Sequence, residues 1–500
     1  MDKLAQTTAA LSSPALLTSF THDNSADFIL PEYMAPIRRV VSVEVTVLPE
    51  SRFLNGPALE FGGTLAFSVL YVGEDGTLSC ASVTTEYTAS CALGDTQIAD
   101  TSRIGADTSA ENVTCRVTGP RAITLRTKMR TALLLLEQKT VEETILDSAG
   151  IRAAAADEQA LERRTAAAHD VQLSRGECTC TAAASLHLPP ETKTIRASGA
   201  VRIEEARASA GEVQARGEVL LHVLTLSPEG RFVTVESRVP FAETVPVPDA
   251  AQGDEARASG RAASVILRPG DAETAWEIEY DLEAETARPS EQTYTVDAYS
   301  VACASEVETE AADSLCLLRC GVNALTVTGE SGRQSKPAPG ESVIDTRASA
   351  SADHMEVRDG KLILHGIAAV SVLLTGEGDV VCEEFTLPFR CEMNSRGGDA
   401  ADLLSRCSVE VVSASARPEG DKLAVTLDLC ISALAMSRAT IRPVRKITLN
   451  RAEVHARRDG VVRICYPDPG ESMWEIAKRY AVRRNTLGEA EASDGTPMIV

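Results

Sequence analysis

A chain of 500 residues with 44% hydrophobic side chains is too long for one core and is expected to divide into about three or four domains. Its 72 acidic and 49 basic residues leave a net charge of −23, which argues against nucleic acid as a partner, because phosphate contacts need a basic face. Aromatic residues supply only 4%, so the cores must rest on Val, Leu, Ile and Ala.

From the N-terminus, residues 1–25 are rich in Ser, Thr and Ala and are expected to be a flexible tail. They have one lysine and no clear cleavage site, so they do not read as a signal peptide, and no run of about 18 apolar residues suggests a membrane span. Structure is expected to start at Phe28-Ile29-Leu30-Pro31. Val41, Val43, Val45 and Val47 then alternate with polar residues as a half-buried strand.

Next comes a stretch that the chain writes three times: Gly63 to Tyr87, Gly217 to Phe241 and Gly366 to Phe389. Each copy reads as a β-hairpin. In the first, Leu65, Phe67, Val69 and Tyr71 point one way and Gly73-Glu-Asp-Gly76 turns the chain; Ser227-Pro-Glu-Gly230 does the same in the second. Tyr87, Phe241 and Phe389 end the return strands as core rings. A further alternating strand follows each hairpin. In the first unit its outer face is the basic stripe Arg126, Lys128 and Arg130; in the second it is the acidic stripe Glu277, Glu279, Asp281 and Glu283 behind Trp276, Ile278, Tyr280 and Leu282. These are charged contact faces, and the basic one is expected to meet an acidic surface, either that stripe or a partner.

Residues 150–170 look helical by propensity, although tertiary context could hold them as strand. Gly329 to Ser342 reads as a linker, and Arg438 to Arg458 as a connector with seven basic residues and one acid. The expected division is a tail (1–25), β units at 26–150, 151–328 and 343–450 with the linker at 329–342, a basic connector (451–460) and a terminal module (461–500). The fold class is mainly β, with three tandem antiparallel units before a small βααβ domain. In the terminal module, Pro469-Gly-Glu turns the chain, and Ser472 with Glu475 forms a capping box for a helix through Met473, Ile476, Ala477 and Tyr480.

The 13 cysteines are scattered, with no CxxC and no zinc spacing, so the chain reads as reduced and intracellular. The seven histidines are isolated, and no hydrolase, metalloprotease, P-loop or dinucleotide motif is present. No metal, cofactor or catalytic residue is expected.

Pro469 to Val482 resembles the LysM signature, which implies a groove for N-acetylglucosamine polymers flanked by Gly470, Glu471, Ser472 and Met473 and by Glu491, Ala492 and Ser493. Glu491 stands where that family usually has asparagine, and Gly488 interrupts the second helix. The three hairpins, the Leu-Pro pairs at 30–31 and 188–189, the Val-Pro-Phe and Leu-Pro-Phe ends and Asp297-Ala298-Tyr299-Ser300 resemble the SPOCS domain of spore-coat proteins. Tandem SPOCS units with a terminal LysM resemble the SipL type of clostridial coat-morphogenesis protein. The resemblance implies a mother-cell scaffold that localises the coat on the forespore through a basement-layer ATPase of the SpoIVA type, with peptidoglycan binding in the cell envelope as the alternative.

Overall fold

The computed structural model describes residues 8–48, 51–55, 58–92, 103–150, 159–268, 274–332, 341–376, 379–397, 402–456, 462–487 and 498–499. The first unit contains β1 (Thr8–Ile29), β2 (Ile37–Val47), β3 (Ser51–Asn55), β4 (Ala58–Gly73), β5 (Leu78–Ala92), β6 (Arg103–Gly119) and β7 (Ala122–Glu142), followed by β8 (Thr144–Asp147). The second contains β9 (Leu161–Leu186), β10 (Lys193–Ser209), β11 (Glu212–Leu226), β12 (Phe232–Pro246), β13 (Glu255–Arg268) and β14 (Thr274–Ser300), followed by β15 (Cys303–Thr309). The third contains β16 (Ala312–Gly332), β17 (Ser342–Arg358), β18 (Lys361–Gly376), β19 (Asp379–Asn394), β20 (Leu403–Glu419) and β21 (Lys422–Ile441), followed by β22 (Val444–Val454).

One topology is used three times. Each hairpin recruits the strand before it into an antiparallel meander, β2-β4-β5, β10-β11-β12 and β17-β18-β19, with β3 an extra strand on β4. The first strand of each unit crosses to a second sheet and pairs with the last: β1-β7-β6, β9-β14-β13 and β16-β21-β20. The two sheets enclose the core. Leu65, Phe67, Val69 and Tyr71 meet Ile123, Leu125 and Met129 in the first unit, and Val219, Leu221 and Val223 meet Trp276, Ile278, Tyr280 and Leu282 in the second.

The glycine that opens each repeat has a steric reason. Gly63 and Gly366 lie across the ladder from Tyr87 and Phe389, whose rings cover the glycine where a Cβ would stand. At Gly217 the Arg202 carbonyl takes that space. Gly366→Val is therefore expected to cost about 1–3 kcal/mol through overpacking, read as a lower urea midpoint; an unchanged midpoint would show that the Phe389 ring and the Ser351 carbonyl, which also faces this glycine, can both move aside.

The units close into a ring. β5 packs on β10, β12 on β17 and β19 on β2. Thr234 donates to the Ile344 carbonyl at 2.9 Å across the second joint, and Arg39 to the Val380 carbonyl at 2.8 Å across the third. Leu70, Leu224 and Leu373, each seven residues after its repeat's glycine, are buried together where the units converge, with Ile195, Ile344 and Val380. A second shared core holds Leu134, Leu136, Val171, Ala287, Leu315, Leu404, Leu434 and Met436. Beyond it β8, β15 and β22, one strand from the end of each unit, form a mixed capping sheet in which β22 is antiparallel to β15 and parallel to β8.

Several expectations differ from this arrangement. From Thr8 onward the expected tail is β1, an edge strand paired along β7 whose register shifts between Pro14 and Leu16, a place that tolerates proline. From Leu161 the Ala-rich segment is strand, because β14 supplies a full-length partner. The expected linker starts inside β16 and ends on the first residue of β17, its residues 333–340 lying outside the described residues, and the third unit begins at Ala312. The basic connector is in part β22, with Arg445 paired to Glu310 and Lys446 to Glu308 on and beside β15.

Candidate functional site

Around the axis of the ring, equivalent positions carry unlike charges. Ser42, Arg196 and Asp345 occupy one such position, opposite Leu70, Leu224 and Leu373; Glu44, Ser198 and Arg347 occupy the next inward-facing one. Arg196 of the second unit reaches Glu44 of the first at 2.7 Å and Asp345 of the third at 2.5 Å. His222 lies between Asp345 at 2.7 Å and Glu236 at 3.1 Å, and Arg347 reaches Glu44 at 3.3 Å. Burial alone would raise the pKa of Asp345, but the His222 hydrogen bond and the Arg196 and Arg347 charges hold it well below the usual carboxylate range.

A second ionic layer lies further along the axis. Arg406 of the third unit pairs with Asp107 of the first at 2.9 Å and with Glu285 of the second at 3.2 Å, and Arg257 holds Glu285 at 2.6 Å. Burial would raise the Glu285 pKa, yet the two guanidinium groups lower it. Gly105 leaves the room that the Arg406 guanidinium fills. Between the layers is a cavity of about 830 Å³ lined by all three units. In the second unit Gly199 and Gly260 let β10 and β13 close on each other; the first unit has Val45 and Ala110 at the corresponding register positions.

The C-terminal module is seated on the second unit. β23 (Ile464–Cys465) pairs with β24 (Met498–Ile499), and α1 (Met473–Tyr480) starts at the expected Ser472/Glu475 capping box and ends at Ala481 in the left-handed region. Where the second helix of the expected βααβ order would begin, the described residues show one 3₁₀ turn, Arg484–Leu487, in which Asn485 and Thr486 are weak helix formers, and residues 488–497 lie outside the described residues. Trp474 stacks edge-on to Tyr299 with ring centroids 5.0 Å apart. Its Nε1 donates to Asp297 at 2.7 Å, Lys478 donates to the same carboxylate at 2.7 Å, and the Tyr299 hydroxyl donates to the Val482 carbonyl at 2.7 Å. Burial would raise the Asp297 pKa, but the bonds from Lys478 and Trp474 lower it.

The expected groove residues are placed as follows. Gly470 takes a positive φ in the turn, and Glu471 accepts from Arg479 at 2.9 Å. Ser472 is occupied with Glu475, and Met473 is buried in the cluster with Tyr299 and Trp474. Glu491, Ala492 and Ser493 lie outside the described residues. The two charged stripes are satisfied within their own sheets: Lys128 and Arg130 pair with Glu111, while Glu277 takes Arg268, Glu279 takes Ser264, Asp281 takes Thr179 and Glu283 takes Arg175. Arg126 is exposed.

With the helix face covered by the second unit, the module turns an apolar face outward. Val462, Ile464, Tyr466 and Ile499 are 60–70% exposed, and Ile464 and Ile499 are directly opposed across the two strands. All 13 cysteines are free thiols; burial raises the Cys382 and Cys407 pKa values to about 12. Among the described residues no cluster has the makings of a metal site, and no helix is long and apolar enough to cross a membrane.

Residues 192–266 match the family model described as SipL, SPOCS domain. The match spans the meander of the second unit and most of β13, the part of the topology that recurs in the other two units. No curated protein and no solved structure matches the chain. The SPOCS match connects the chain with sporulation and the spore coat.

Proposed function

We propose that the chain is a non-enzymatic scaffold of spore-coat assembly, which localises coat material at the forespore surface with its C-terminal module as the docking end. The SPOCS match supports the setting. The observation that carries the docking role is the outward apolar face of Val462, Ile464, Tyr466 and Ile499, an arrangement that marks a contact surface in a protein otherwise rich in charge. Glycan capture is the weaker reading: Met473 and Trp474 are buried against the second unit, and Glu471 and Ser472 are engaged within the module. The partner expected by resemblance is a basement-layer scaffold ATPase of the SpoIVA type.

The test uses the full chain and a Tyr466→Asp, Ile499→Asp variant in binding to the purified scaffold ATPase and to purified peptidoglycan. Capture by the scaffold is expected to fall about tenfold or more in the variant, a loss of about 1.4 kcal/mol or more, with the urea midpoint of the ring unchanged. Tight peptidoglycan binding by the wild-type chain without scaffold binding would replace this reading by the cell-envelope alternative. Met473→Lys is a poor probe of the groove, because it would disturb the seat on Tyr299 first.

A further inference from the structure

The axial cluster nearest the shared leucines has a charge balance that depends on one proton. Within hydrogen-bonding reach of one another stand three carboxylates, Glu44, Glu236 and Asp345, and two guanidinium groups, Arg196 and Arg347. His222 is the sixth member. Both of its ring nitrogens face carboxylate oxygens, Nε2 toward Asp345 across the joint and Nδ1 toward Glu236 within its own unit. Ionised carboxylates only accept hydrogen bonds, so two such contacts require two N–H groups, and only the imidazolium has both.

We propose that the joint between the second and third units is a proton-held switch: the ring stays closed there while His222 is an imidazolium and loosens when it becomes neutral. A neutral ring would turn a lone pair toward Asp345 or Glu236. It would also leave three carboxylates, Asp345 0% exposed and Glu236 43%, against Arg196 and Arg347, with Arg238 beside Glu236 on the outer side. An uncompensated buried charge is among the most destabilising changes a protein can suffer. The Asp345 oxygen that faces His222 also accepts from the Thr346 N–H at 2.8 Å, and its other oxygen is held by Arg196, which links all three units in this layer.

Every element around His222 contributes to this setting. β12 brings Glu236 and, beside it, Arg238; β17 brings Asp345 and Arg347; β10 brings Arg196; β2 brings Glu44. β19 brings Glu384, which lines the same cavity, and the thiols of Cys80 on β5 and Cys382 on β19 lie close to Arg196 and Glu44. Burial alone would lower the His222 pKa, but the bonds to Asp345 and Glu236 outweigh it and the net shift is upward. A histidine whose folded pKa is raised contributes stability that is complete below its unfolded value of about 6.5 and is lost as pH rises through the folded value. The joint therefore weakens on the alkaline side. On the acid side the depressed carboxylates Asp345 and Glu44 hold their contribution until pH falls through their own lowered values.

The test is hydrogen exchange on the full-length chain, corrected for intrinsic rates, at about pH 6 and about pH 9. Amides of Val219 to Val223 and of Val343 to Arg347 are expected to lose protection about tenfold or more between these values, while β13 and β14 amides keep theirs. His222→Gln, neutral throughout, should show the weakened joint already at the lower pH and little further change at the higher one. Should that variant fail to fold, the ¹⁵N signals of His222 in the wild-type chain decide the matter alone: both nitrogens protonated at about pH 6.5 supports the proposal. A neutral imidazole at that pH, or joint protection that does not change with pH, overturns it.

Discussion

Arg406→Met is expected to destabilise the full chain by about 3–5 kcal/mol, seen as a large fall in the urea midpoint. The Arg406 side chain is 1% exposed, and its removal takes away the Asp107 ion pair at 2.9 Å and one of the two guanidinium groups on Glu285. Methionine replaces the volume, so the loss comes from charge rather than from a cavity. A double variant, Arg406→Met with Asp107→Leu, removes both ends of the interaction between the first and third units while Glu285 keeps Arg257, and it is expected to be more stable than the single variant. A single variant within about 1 kcal/mol of wild type would mean that water reaches this layer and that it does not hold the ring.

Tyr299→Ala is expected to release the C-terminal module while leaving the ring folded. Removing a buried aromatic side chain typically costs about 3–5 kcal/mol, and here the loss falls on the seat: the edge-on contact with Trp474 and the hydrogen bond to the Val482 carbonyl go together. Hydrogen exchange should quicken across Met473–Tyr480, and proteases should cut before Val462, with the urea midpoint of the ring unchanged. Asp297→Ala should act in the same direction with a smaller effect, about 1–3 kcal/mol, because the Trp474 N–H is left without an acceptor. Unchanged exchange in the helix would show that the module is held by other contacts.

The strands that pack a core on one face were legible from period-two alternation, as at Leu65 to Tyr71 and Trp276 to Leu282. β1 was not, because an edge strand needs only one apolar face and here spells it sparsely, with Phe20 and Phe28 among Thr, His, Asn and Ala. The long crossings between sheets carry Pro and Gly, which is why residues 329–342 looked like a boundary between units. The capping box and the hairpin turns were legible because each rests on local geometry. The ring itself left two signals that single-strand reading passes over. One is a leucine on the wrong face of every repeat, Leu70, Leu224 and Leu373; the other is a position that reads Ser42, Arg196 and Asp345 in successive copies. Both become visible only when the copies are laid over one another and the differences are asked to complement. The seat of the C-terminal module could not be read at all, since Asp297 and Trp474 are far apart in the chain and neither pattern refers to the other.

The capping sheet imposes an order on biosynthesis. β8 leaves the ribosome early, yet its partner β22 ends at Val454, so Thr144 to Asp147 must wait through the synthesis of two further units before they can pair. Contacts this distant in sequence close slowly, because the intervening chain has to be gathered first. During that wait the nascent chain displays the edges of β8 and then of β15, and unpaired edges are templates for joining other chains. A ribosome that stops before β22 therefore releases a product in which β8, and β15 once it is made, lack their partner strand, the kind of fragment that quality-control proteases and chaperones are suited to remove.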